Sequence, residues 1–250
     1  MSPIDPQALH QAREFTQLTL ANALKEEWAG AYRSYQTPGA YTPDATSMGK
    51  RALKNKALIM LTLTEAQHWQ NVALEQFQQA NNMTDRFAAL TALVYGCAPQ
   101  AQQALAHFYQ RYENDALAID KWFRLQATCP RHAANRPAIE VVRELMQHPA
   151  FTLNNPNRVR SVIHSFCTSN LANFHSVDGT GYAFWAEQVI ALDAINPQVA
   201  ARLARAVERW RAFASPWKES MQAALQQVLA HDAQLSNDSR EIIHKALDGS

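Results

Sequence analysis

Apolar positions recur at three- and four-residue steps along nearly the whole chain, the period of helices with one face turned to a core. Ala8, Ala12, Phe15, Leu18, Ala21, Leu24 and Trp28 form the first such stripe, and Asp5-Pro6 ahead of it supplies an N-cap and a first helical residue. Pro38-Gly39 and Pro43-Asp44 mark Gln36–Ser47 as the first loop. The same periodicity predicts further helices over about 48–63, 65–80, 84–95, 99–113, 116–128, 137–147, 157–168, 181–194, 197–213, 216–231 and 238–247. Pro99, Pro137, Pro156, Pro197 and Pro216 each stand near a predicted start, where a missing N–H does no harm. No strand pattern competes. Helix following helix across short loops predicts antiparallel pairs, each too thin to bury its own apolar face, stacked into an α-solenoid. Residues around Ala133–Arg136 interrupt the pattern, but the texture is helical on both sides, so 1–250 reads as a single all-α domain.

Composition narrows the function classes. A chain of 250 residues, 47% hydrophobic and 18% charged, buries a core without disulfide or metal staples. With 23 Lys+Arg against 22 Asp+Glu the formal charge is +1, which provides no global field for nucleic acid or anionic lipid. Apolar runs such as Leu58-Ile59-Met60-Leu61 are far too short to span a bilayer, and the first residues lack a basic, then apolar, leader pattern. Three cysteines, Cys97, Cys129 and Cys167, with no C-x-x-C spacing suit a reducing compartment. The expectation is a cytoplasmic protein with neither a nucleic-acid nor a membrane partner.

Several residues are candidates for chemistry. None of the nine histidines stands in H-E-x-x-H, and Cys129-Pro-Arg-His132 offers one ligand pair without a second, so no metal is expected in this chain. His164 and Cys167 lie three apart on one predicted helix, an imidazole beside a thiol, although a core cysteine is the commoner meaning of that spacing. Asp178-Gly179-Thr180-Gly181 lacks the lysine and the length of a phosphate loop and reads as a capping turn. The helix from Pro197 is more informative. At 100° per residue Gln198, Arg202, Arg205 and Arg209 fall within roughly 60° of one another, opposite Val199, Leu203, Val207 and Trp210. On spacing alone such a cationic face is a solvated surface. Arg158 and Arg160 open another helix on different sides, and one of them can face a cavity as a partner for carboxylate or carbonyl oxygen.

Five strings in order, Asn81-Asn82-Met83-Thr84-Asp85, Asp120-Lys121-Trp122-Phe123, Asn155-Pro156-Asn157-Arg158-Val159-Arg160-Ser161, Asn173-Phe174-His175 with Asp178-Gly179-Thr180-Gly181-Tyr182, and Asn196-Pro197-Gln198-Val199-Ala200, resemble the C-terminal helical domain of bacterial aminopeptidase N, a zinc metallopeptidase family. The resemblance runs from about Gly49 to the end, with a looser match in the first helix. It implies a HEAT-like superhelix that packs on a catalytic domain and closes the chamber above the zinc. The zinc ligands, the general-base glutamate, the substrate loop and the catalytic tyrosine of that family belong to the catalytic domain and have no counterpart here. By resemblance this chain is non-catalytic, its partners are that catalytic domain and the peptide substrate, and the zinc is held in the partner domain. Matched residue by residue, Gln198 and Arg202 correspond to positions at the rim of the pocket for the peptide's first side chain, and Arg160 to one facing the substrate cavity. Arg158, Arg205 and Arg209 gain no such support and are expected at the surface. The alternatives are a stand-alone solenoid that binds peptide or protein, and a cysteine-dependent enzyme built on Cys167 and His164.

Overall fold

A computed structural model describes residues 3–132 and 136–248, and most of the interruption expected at 133–136 lies outside the described residues. The described chain is all-α, and its one departure is an isolated parallel bridge between Ile4 and Phe213. Two compact units are present, one formed by the chain up to His10 with Gln126–Pro130 and everything from Arg136, the other by Gln11–Leu125 and the start of the loop from Arg131.

The second of these is built from α1 (Pro6–Ala23), which the division crosses, α2 (Lys25–Ser34), α3 (Ala45–Leu61), α4 (Ala66–Gln79), α5 (Met83–Tyr95), α6 (Ala101–Tyr112) and most of α7 (Ala116–Ala127). Side-chain caps start several of them as the sequence dictates. The Asp5 carboxylate accepts from the Ala8 amide at 2.8 Å, Asp44 from Ser47 at 2.9 Å and Asn82 from Asp85 at 2.9 Å. Helices α2 with α3 and α4 with α5 pack as consecutive pairs, and α5 also lies on α3 and α6. Leu58, Leu61, Leu90, Leu93, Phe108 and Phe123 fill the core. Within it lies a polar network that the periodicity did not announce: buried Lys54 donates to Asp85 at 2.8 Å, as does Asn55 at 2.8 Å, and Gln76 donates to Asn55 Oδ1 at 2.9 Å.

The first stripe differs from expectation in two ways. The helix breaks at Leu24, between α1 and α2, and most of the stripe is not core. Phe15 is 72% exposed, Leu9, Leu20 and Leu24 are exposed too, and Pro6 and Ala21 are the buried residues of α1. The period identified an apolar helix correctly, but that helix leaves much of its apolar surface in water.

The other unit contains α8 (Ala138–Met146), α9 (Pro156–Val159), a π-turn (Arg160–His164), α10 (Ser165–Ser169), α11 (Leu171–Phe174), α12 (Thr180–Asp193), α13 (Pro197–Ala204), 3-10 turns at Arg205–Val207 and Trp210–Ala212, α14 (Trp217–Leu229), a 3-10 turn at Asp232–Gln234 and α15 (Asn237–Asp248). Helix α12 is buried along most of its length and forms the centre, with α13 and α14 packed on it and α15 on α13 and α14. Phe166, Phe174, Tyr182, Phe184 and Trp185 are buried around it. The first turn of α12 sits so close to α11 that a Cβ on Gly181 would lie 2.2 Å from the Phe174 carbonyl oxygen.

The helix expected over 197–213 ends at Ala204 and tightens into 3-10 turns. Tertiary bonds draw the chain away there: Trp210 Nε1 donates to the Ala246 carbonyl at 3.0 Å, Ile4 N to Ala212 at 2.7 Å, and Ala214 N to Ile4 at 2.8 Å.

Candidate functional site

Helix α13 carries two of the three expected site residues. Asn196 caps it, accepting from the Val199 amide at 3.2 Å, and Pro197 occupies its first position. Ala200, Ala201, Leu203 and Ala204 turn inward, and Trp185 Nε1 fixes the far end by donating to the Leu203 carbonyl at 2.8 Å. This leaves Gln198 and Arg202 exposed on the opposite face. Helix α15 stands alongside, and its start is anchored by the buried Asp193 carboxylate, which accepts from the Ser236 amide and hydroxyl at 2.6 Å each and from the Ser239 hydroxyl at 2.5 Å. Between the two helices runs an open groove of about 530 Å³ lined by Gln198, Arg202, Arg205 and Glu208 on one side and Asp238, Glu241 and Lys245 on the other. The acidic residues of α15 escaped the sequence reading because they lie some forty positions from Gln198 and belong to no recognised string.

Arg160 stands elsewhere in the same unit and is not among the residues lining this groove. Asn155 caps α9 by accepting from Asn157 and Arg158, and the helix then widens into the π-turn at Arg160. The Ser165 hydroxyl donates to the Arg160 carbonyl at 2.8 Å and the Ser161 hydroxyl to the Asn157 carbonyl at 2.7 Å, which satisfies backbone groups where the wider turn loosens the ladder. Arg160 itself is exposed, with its guanidinium 3.4 Å from Asn157 Oδ1. Arg158 corrects an expectation: it is buried rather than on the surface, and its Nε donates to the Ala150 carbonyl at 3.0 Å. Arg205 and Arg209 are exposed as expected, but the 3-10 turns after Ala204 end the regular helical stripe they were expected to share.

The remaining candidates resolve as structure. Cys167 is 2% exposed and burial pushes its thiol up, away from the thiolate a nucleophile needs, which removes the Cys167–His164 reading. In the Asp178–Gly181 turn, Gly179 adopts a left-handed φ of 73°, and Asp178 Oδ1 accepts from the Thr180 amide at 3.1 Å and the Thr180 hydroxyl at 2.8 Å. The position an anion would take is filled by the chain's own carboxylate. Cys129 is fully buried, and among the described residues no three His, Cys, Asp or Glu side chains converge as a metal-binding group. Among the described residues no helix is long and apolar enough to cross a membrane.

Known proteins give this geometry a context. The chain is 40% identical over 245 residues to aminopeptidase N of Escherichia coli (strain K12), covering 98% of this chain and 27% of that protein. It is 36% identical over 244 residues to aminopeptidase N of Haemophilus influenzae, again over 98% of this chain and 27% of the relative. A crystal structure of Legionella pneumophila aminopeptidase A in complex with aspartic acid superposes with a TM-score of 0.86 at 30% identity, over 100% of this chain and 30% of that one. The chain thus spans about a quarter of the length of the curated relatives it matches. The resemblance to the C-terminal helical domain of bacterial aminopeptidase N holds on these grounds. A family model described as a domain of unknown function (DUF3458_C) with ARM repeats matches residues 1–248, and the chain belongs to that family.

Proposed function

We propose that this chain is the non-catalytic C-terminal domain of a zinc aminopeptidase N, which caps the active-site chamber and controls peptide access during N-terminal residue removal in the cytoplasm. The observation that carries the reading is the exposed Gln198–Arg202 face of α13, which borders a groove in a chain 36–40% identical to proteins named aminopeptidase N. The guanidinium of Arg202 suits a peptide carbonyl or terminal carboxylate, so its contribution is positioning rather than bond breaking. Arg160, held apart on the π-turn, is assigned a second contact with the same substrate. The catalytic domain, with its zinc, is the partner.

The unburied apolar surface of α1 supports the same reading. A helix with Leu9, Phe15 and Leu20 exposed suits a chain whose surface is completed by another domain more than a self-sufficient peptide-binding solenoid. The test is Arg202→Ala in the full-length enzyme, with steady-state kinetics on several peptides and zinc analysis of the same sample. KM is expected to rise, or residue preference to shift, with zinc content unchanged. Unchanged kinetics across all substrates contradict the proposal.

A further inference from the structure

We infer that the groove between α13 and α15 takes a short peptide that pairs a free terminal carboxylate with a cationic side chain, the carboxylate on Arg202 and the cation on Asp238 and Glu241. The inference rests on the reading of Gln198 and Arg202 as peptide-facing and assigns that site a substrate class.

The charges along this groove do not all meet partners. Arg205 reaches Glu208 of its own turn at 3.5 Å, whereas the side chains of Arg202, Asp238 and Glu241 make no ion pair or hydrogen bond among the described residues. Asp238 and Glu241 are three apart on α15 and therefore share a face, and that face lines the groove opposite Arg202. Glu208, which also lines the Arg202 wall, is the partner of Arg205, so a groove of about 530 Å³ with a free guanidinium on one wall and two free carboxylates on the other presents separated, opposite charges to whatever lies in it. A guanidinium accepts a carboxylate in a planar, two-bond geometry, whereas a carboxylate pair favours an ammonium or guanidinium and repels an acid.

Ile242, half-buried between the two acidic residues and Lys245, offers apolar surface along which the methylene stem of a lysine or arginine can lie. Lys245, one turn beyond Glu241, repels a cation at that end and so restricts the cation to the stretch beside Asp238 and Glu241. A peptide with neutral side chains and a blocked amino group satisfies one wall only. An acidic side chain meets like charge on the second.

Calorimetric titration of the whole chain with N-acetylated Ala-Ala-Ala, Ala-Lys-Ala and Ala-Glu-Ala, each as free acid and as C-terminal amide, tests this, the acetyl group removing the α-ammonium that would otherwise compete for the acidic wall. Ala-Lys-Ala is expected to bind about three- to tenfold more tightly than Ala-Ala-Ala at low salt, the scale of one or two exposed charge pairs, and Ala-Glu-Ala more weakly than either. The double variant Asp238→Asn/Glu241→Gln should abolish the preference for the lysine peptide over the alanine one. Arg202→Ala should weaken the free acids to the level of their amides. All three positions are exposed, so the variants are expected to retain the wild-type far-UV spectrum. Equal binding of the lysine and alanine peptides, a preference that survives the double variant, or no binding of any peptide at millimolar concentration overturns the inference. The gating role stands or falls separately, on the kinetics of Arg202→Ala in the full-length enzyme.

Discussion

Arg158 and Arg160 stand two residues apart and meet opposite environments: Arg158 is 8% exposed with its Nε 3.0 Å from the Ala150 carbonyl, while Arg160 extends into solvent beside Asn157. A helix turns such a pair about 200° apart, so one must face inward when the element is half-buried. Arg158→Ala leaves the Ala150 carbonyl without this donor and is expected to cost about 1 to 3 kcal/mol. Arg160→Ala is expected to fall within about 0.5 kcal/mol of the parent, as exposed substitutions do. Urea unfolding of the two variants checks the contrast, and equal losses would contradict the assignment of one arginine to structure and the other to the cavity face.

His175 gives the fold a pH dependence. Its Nδ1 lies 2.7 Å from the Tyr182 hydroxyl, its ring packs against Phe174 and Phe213, and its carbonyl accepts from Trp217 Nε1 at 2.9 Å. Burial lowers its pKa from 6.5 to about 4, so the folded protein keeps the imidazole neutral where the unfolded chain already binds a proton. Stability is therefore full above about pH 6.5 and falls as the pH drops toward about 4, by roughly 3 kcal/mol at most. Denaturation at a series of pH values should show this slope, and His175→Phe should remove it.

Lys54 and Asp85 test the other unit. Burial alone raises the Asp85 pKa, but hydrogen bonds from Lys54, Asn55 and Asn82 and the charge of Lys54 outweigh it and hold the carboxyl below 3.8. A depressed carboxylate contributes stability above its unfolded value that is lost as the pH falls through the folded one, so this pair weakens only in strong acid. Lys54→Met strands a buried charge and is expected to cost about 3 to 5 kcal/mol, whereas Lys54→Met/Asp85→Leu should lie closer to the wild type than the single variant. Chemical denaturation of both settles the order.

The three thiols should separate by reactivity. Cys129 and Cys167 are buried and Cys167 is pushed up in pKa, whereas Cys97 is half-exposed on a residue with φ of 48°. A thiol reagent is expected to modify Cys97 quickly and the other two only on unfolding. Rapid native labelling of Cys167 would reopen the nucleophile reading.

The sequence carried the helices where period and punctuation agree. Asp5-Pro6 caps and starts a helix as read, and Pro156 and Pro197 stand at helix starts as read, with Asn155 and Asn196 adding caps that the prolines alone did not announce. It failed where long-range bonds override a period that continues: Val207 and Trp210 are buried as the 197–213 stripe predicted, yet the backbone beneath them is 3-10, drawn off by Ala246 and Ile4. The stripe on α1 shows a second kind of failure, since periodicity identifies an apolar face but not what covers it. One wall of the groove was legible as Gln198 and Arg202. The other was not, because Asp238 and Glu241 reach the groove through the fold alone, on a helix anchored by Asp193.

A domain that serves aminopeptidase chemistry without performing it is tested by assaying the purified chain on alanyl and arginyl chromogenic amides. The assay is run with and without added zinc, beside metal analysis and the full-length enzyme as reference. Turnover is expected from the full-length enzyme, and neither turnover nor stoichiometric zinc from this chain. Zinc-dependent hydrolysis by the chain alone that survives repurification would contradict this.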